Sequence, residues 1–421
     1  MRGRAASAAV LAAAFIGGWA APAAEAAASA AAVSSAEAQE ARVVTLEEAL
    51  RRASAVPRQE ASLQRSIDGL RRQLDRASKQ LGENSYIDYF TLYEKSQRNE
   101  PFDQAERDRF RHYNEMYYFM VMEMSERDRF NSFVAPRELT AAELTASIRK
   151  LEWQQRQIRP AAELALRELF HGIAGLKEQI ELLEAKLELE RLRLEQDPGR
   201  RTAAETRVLE LEHETTALTK RTLTRSLAIA EAALKKELGI PFRSAVAIRS
   251  EEPAAPELQP LKRYEALALE RRAEALSAAL DEELKRRKAA LAERYIADPE
   301  AEERKESRME AEEAAAALAE ARARIAEDVA NAYAAAADRR YAWEQAEERA
   351  AQARSLQGIA ERMAETGAGT SLAAKEAAWA AAEAEVRAKE AKRAYELAWH
   401  RLTAASGIGP GYAQGEEASM P

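Results

Sequence analysis

Two pairs of glycines share one spacing, and that spacing restricts the fold more than any other feature of the chain. Gly199 and Gly367 lie 168 residues apart (367 − 199), and Gly239 and Gly407 lie the same 168 apart (407 − 239). Laying one half on the other aligns Thr202 with Thr370, Leu234 with Leu402 and Ile240 with Ile408, without a gap. Each glycine-to-glycine interval has helical periodicity and would extend roughly 60 Å as an α-helix. A duplication matched at both ends predicts two tandem units, each a long helical hairpin turned at a glycine.

Composition agrees with rods rather than globules. Charged residues make up 32% of the 421 and aromatics only 6%, a balance typical of long helices and coiled coils. Alanine-rich stretches such as 321–356 predict thin seams in which backbones approach closely. Ile325, Val329 and Tyr333 fall at i, i+4 and i+8 on one stripe. Hairpins so thin bury little surface alone, so each needs the other half or another copy beside it. The net charge of −8 is spread over interspersed signs. No basic patch points to nucleic acid.

The N-terminus reads as an export signal over 1–26. Arg2 and Arg4 precede a short apolar run from Ala8 to Trp19, and Ala24-Glu25-Ala26 offers a small-residue cleavage site, with Ala30 a second possible end. The chain has no cysteine, so the exported protein is held by packing alone, with no disulfide and no thiolate metal site. No later stretch is apolar for long enough to span a bilayer as a helix.

The first repeat is read as 43–242, opening with a capping box at Thr45 and Glu48. An insert at 82–136 interrupts it. That insert carries most of the aromatics and is expected to form shorter helices with turns near Gly82 and Pro101. Helix resumes over 137–196 with Pro160 as a kink or a fresh start, and again over 200–238 until Gly239 and Pro241 stop it. A proline-rich linker, 243–260, leads to the second repeat, 261–409. There a break near Pro299 and the turn at 365–370 bound a long helix, a last helix runs 371–405, and 410–421 is a flexible tail.

Segments 44–53, 325–340 and 360–407, taken with the gapless duplication, resemble the TolC-like outer-membrane efflux proteins. The resemblance implies an all-α protomer of antiparallel hairpins, three of which form a hollow helical cylinder that conducts small molecules. It places Gly199, Thr202, Gly367, Gly369, Thr370, Ser371 and Leu372 at the hairpin tips. There the channel closes and an extracytoplasmic adaptor protein of an efflux pump docks. Counting from the turn glycine, Glu376 falls on one acidic position of the family's tip, which the resemblance implies as a gate or lining acid, while Ala373 replaces another. The family also inserts two membrane strands between the long helices of each repeat. Such strands need ~9–11 alternating residues, and neither 293–306, 86–93 nor 116–124 reads that way. A relative without the barrel is expected.

Competing readings remain at individual residues. Met116, Met120 and Met124 recur at i, i+4 and i+8 and could present soft thioether ligands to Cu(I), although a methionine stripe is more often adaptable packing. His112, His171, His213 and His400 form no zinc-binding spacing and are expected on surfaces or in seams. No nucleophile motif, phosphate loop or paired acid–base arrangement points to an enzyme, and no cofactor is called for. The alternative to a conduit is an exported coiled-coil scaffold of the cell envelope that shares these helices without transporting anything.

Overall fold

The structure, a computed structural model, describes residues 42–53, 58–196, 202–244, 246–249 and 255–407. The signal segment, Gly199, Ile408 and the tail fall outside them. In chain order the elements are β1 (Arg42–Thr45), α1 (Leu46–Ala53), α2 (Arg58–Glu83), α3 (Ser85–Gln97), α4 (Gln104–Glu123) and α5 (Glu126–Arg129). A π-helical turn, Phe130–Val134, then leads into α6 (Ala135–Glu195), α7 (Ala203–Glu237) and β2 (Val246–Arg249). The second repeat supplies α8 (Leu261–Arg271), α9 (Ala273–Tyr295), α10 (Glu302–Glu365) and α11 (Ser371–Ala405).

The duplication is plain in this order. α1, α2, α6 and α7 repeat as α8, α9, α10 and α11. The long members have 61 and 64 residues, and the returning helices have 35 each. The long helices extend about 90–95 Å. Both returning helices begin on the aligned threonines. Thr202 Oγ1 accepts from the Glu205 N–H, and Thr370 Oγ1 accepts from the Ala373 N–H, each satisfying a donor that the helix start leaves free. Both end at the aligned glycines, Gly239 (φ +64°) and Gly407 (φ +71°). At Gly239 a Schellman closure forms, the Ile240 N–H reaching Lys235 O at 2.8 Å.

Each long helix takes part in two different four-helix rows. In its first half α6 lies between α2 and α9, joined by Arg71–Glu152 on one side and by Lys150–Asp281 and Glu138–Arg287 on the other. α9 in turn packs on α10 through Lys288–Glu310 and Arg308–Glu293. In its second half α6 lies between α7 and α11, with Lys177–Glu231 and Lys220–Glu184 on the α7 side and Arg393–Glu178 and Arg193–Glu376 on the α11 side. α10 closes that row against α11, where Trp343 stacks on Tyr395. The rows are therefore α2–α6–α9–α10 above and α7–α6–α11–α10 below. Pro160 does not start a new helix, since α6 runs unbroken through it.

Two apolar clusters hold the waist between the rows. Val44, Ala49, Leu166, Phe170, Ile173, Leu234 and Ile240 form the one belonging to the first repeat. Tyr264, Ala268, Ala275, Ile325, Val329, Ala336, Ala398 and Leu402 form the other. The stripe expected at Ile325, Val329 and Tyr333 is thus the seam of the second repeat. β1 and β2 pair in parallel from Arg42–Val246 to Thr45–Arg249. They tie the start of the first repeat to the chain just after α7. These strands were not foreseen: β2 falls inside the stretch read as linker.

The upper end differs between the repeats. The second repeat crosses from α9 to α10 by the short turn 296–301, while the first inserts a helical cap, 84–134. Of the three segments weighed as membrane strands, 86–93 lies in α3 and most of 116–124 in α4, while 293–306 holds the turn between α9 and α10. Their starts are fixed by Asn84, which accepts from the Tyr86 and Ile87 N–H groups, and by a capping box between Asp103 and Glu106. Asn84, rather than Gly82, marks the boundary, and Gly82 lies in the last turn of α2. Ile87, Tyr89, Phe90, Val121, Phe130, Phe133 and Val134 pack there with Ala292 and Ile296 of the second repeat. Among the described residues no helix is long and apolar enough to cross a membrane.

Candidate functional site at the hairpin tips

The tip of the second hairpin is built by two glycines with different duties. α10 ends at Thr366, whose hydroxyl bonds back to Arg362 O at 2.9 Å. Gly367 follows with φ +73°, a left-handed conformation that costs any residue with a Cβ. Gly369 instead allows close approach. Its N–H reaches Met363 O at 2.8 Å, and a Cβ there would stand 3.1 Å from Met363 Cβ. Thr370 then starts α11. Ser371 is exposed and Leu372 half-buried. Gly367→Ala should lower hairpin stability by about 1 kcal/mol, read as an earlier denaturant midpoint. Ala368→Gly, beside it, should not have that conformational penalty removed or added through φ. At the first tip only Thr202 is described, again as the start of a helix, and Gly199 lies outside the described residues.

Glu376 does not stand free at the tip. Arg193 of α6 reaches it with Nη2 at 2.8 Å and Nε at 3.0 Å, so it is half of an ion pair joining the hairpins. Met116 and Met120 are exposed on α4, whereas Met124 caps its end and packs on the aromatic cluster. The expected stripe is therefore divided between solvent and core. Tyr86, Tyr118, Phe119 and Met122 are exposed near it.

Both edges of the lower row carry exposed apolar residues. On α7 these are Val208, Leu211 and Leu218, and on α10 they are Leu356, Ile359 and Met363. Leu218 and Leu356 are each 64% exposed. The contacts Glu190–Thr216, Glu178–Arg393 and Arg354–Glu385 bring the helices to a common level. On that level Leu218 stands within about one turn of Leu356, and Leu211 within about one turn of Met363. The two stripes lie at the same height on opposite edges.

A buried polar patch sits higher in the α6–α11 seam, and no spacing in the sequence pointed to it. His171 Nε2 lies 3.7 Å from Glu396 Oε2, with both side chains almost wholly buried. Burial, with the guanidiniums of Arg393 and Arg167, pushes His171 down to about 4. Burial, with Arg167 and His171, pushes His400 down to about 3. Both imidazoles are therefore neutral near pH 7. Among the described residues no group of histidines and carboxylates is arranged to hold a metal ion.

No protein-family model matches the chain, and no curated protein matches it in sequence. Solved structures do share its fold. The protein CusC, described in work on folding and transmembrane channel formation, is 12% identical, with 86% of this chain and 96% of that one covered at a TM-score of 0.50. The CmeC outer membrane channel of Campylobacter jejuni is 13% identical, covering 67% and 70% at 0.50. The outer-membrane channel OprN is 15% identical, covering 66% and 72% at 0.50. With its doubled hairpins and paired long helices, the chain has the helical TolC-like fold of outer-membrane efflux channels.

Proposed function

We propose that this protein is an exported, non-enzymatic efflux component of the cell envelope, in which copies close into a helical conduit for small molecules. The carrying observation is the pair of level apolar stripes on the α7 and α10 edges. Rotation about a ring axis preserves height, so only residues at one level can meet when identical chains close head-to-tail. Leu211 and Leu218 of one copy would then cover Met363 and Leu356 of the next. Similarity in fold to outer-membrane channels supports the channel role, and the resemblance favours a trimer. Selectivity would come from lining charges and tip closure rather than from a tight pocket. The tips, Gly367 to Leu372 with Thr202 and the region of Gly199, would receive the adaptor of an export pump. Glu376 would shape the entrance through its pair with Arg193.

Sedimentation of the mature protein, with and without detergent, tests the reading. The expected result is a closed oligomer at micromolar concentration, weakened about 100-fold or more by Leu218→Asp or Leu356→Asp, since each places a charge in a buried apolar contact. A wild type that stays monomeric in both conditions removes the conduit. The helical cap, standing where the family places membrane strands, favours a second reading, an envelope scaffold without transport. A monomer with intact helices would leave that one standing.

A further inference from the structure

The α6–α11 seam joins the two hairpins below the waist, and its upper part is polar. His171 on α6 is 9% exposed and Glu396 on α11 is 3% exposed. Arg167 lies one turn before His171, and His400 one turn beyond Glu396. Arg393 grips Glu178 with two hydrogen bonds, and Arg401 grips Glu168. His400 packs edge-on against Trp399 at 5.0 Å. Its Nδ1, Arg167 Nε and Trp399 Nε1 are buried without hydrogen-bond partners. On its other side α6 meets α1 and α7 largely through apolar residues, including Ala49 and Leu234. The nearby charge pair there is Lys177–Glu231. Two imidazoles are thus shut in a dehydrated joint beside the guanidiniums of Arg167 and Arg393, with the Glu396 carboxylate facing His171 at 3.7 Å.

We propose that this seam is an acid-released joint: mild acidification places protons on His171 and His400 only when α11 parts from α6, so the two hairpins separate. A histidine depressed by docking contributes docking free energy that is present above its free value near 6.5. That contribution is lost as pH falls toward 4. Two groups oppose the release. Glu396 attracts a charged His171. Glu163, whose carboxyl burial pushes upward, holds its proton better when docked and so favours docking on acidification. Against these, both histidines shift the same way, through burial and through Arg167. The joint belongs to a single chain and does not depend on ring formation.

Spin labels on exposed sites of the two hairpins, Ala204→Cys and Lys375→Cys, read the joint in the full mature chain, which has no other cysteine. At pH 7.5 one distance population is expected. Between pH 6.5 and 4.5 a longer one should grow, the open-to-docked ratio rising up to about 100-fold per pH unit with both histidines and about tenfold with one. His171→Gln and His400→Gln should each halve that steepness, and the double variant should abolish it. A melting curve at pH 7.5 checks that the variants fold, and the single variants keep the test decisive where the double variant does not. Labels across the upper end, Ala105→Cys and Met309→Cys, should hold their distance. No second population in wild type, an unchanged transition in the single and double variants, or parallel movement at the upper end would overturn the proposal.

Discussion

Phe133→Ala is expected to cost the cap about 3–5 kcal/mol while leaving the lower hairpins as they are. Phe133 is 4% exposed and stacks on Phe90 with ring centroids 5.0 Å apart. It lies in the π-helical turn that delivers the chain from the cap into α6. Removing the ring therefore empties the centre of a small cluster with little depth in which to collapse. Amide exchange should register the loss locally. Protection in α3 and α4 should fall by about two to four orders of magnitude, and that in α10 and α11 should not change. Phe133→Leu, which keeps most of the volume, should cost less than half as much. Equal loss of protection at both ends would mean that the cap and the hairpins unfold as one unit.

Arg393→Ala should destabilise the lower row by about 3 kcal/mol. Its side chain is 11% exposed and makes two hydrogen bonds to Glu178. Truncation leaves that carboxylate in a largely dehydrated seam with no fork to hold it. Glu178 keeps some access to water, which places the cost near the lower end of the range for a broken buried pair. Denaturant unfolding followed by far-UV circular dichroism would measure it. The same change removes a guanidinium that holds down His171, so the imidazole of Arg393→Ala should titrate closer to its ordinary value. Arg393→Lys should restore the charge but only part of the stability, because an ammonium cannot reproduce the fork.

Much of the helical frame could be read from local chemistry. Thr370 and Gly407 bound α11, Thr202 and Gly239 bound α7, and the break near Pro299 separates α9 from α10. In each case the residue acts on its own neighbours. The cap was visible as a change in composition and was read as shorter helices, although tyrosine and phenylalanine also favour strands. The decisive signal was Asp103 followed by Glu106, a capping box at the start of α4. What escaped were pairings over long separations. β1 and β2 are four residues each and meet across the whole first repeat. Glu376 was read as a possible lining acid, since nothing near it in sequence reveals Arg193. His171, Glu396 and His400 come together only once α11 lies along α6.

Pro160 gives the two long rods unequal stiffness. It sits in the middle of α6, near the level where that helix exchanges α2 and α9 for α7 and α11. It lines a groove there together with Asp328 of α10. A proline supplies no N–H, so the Arg156 carbonyl lacks its usual intrahelical donor and the ring crowds the preceding turn. α10 has no proline anywhere along its 64 residues. A sideways load on the tips would therefore flex the first rod at mid-length while the second carried it as an unbroken beam. Movement of the lower end would come from the first hairpin swinging against a fixed second one.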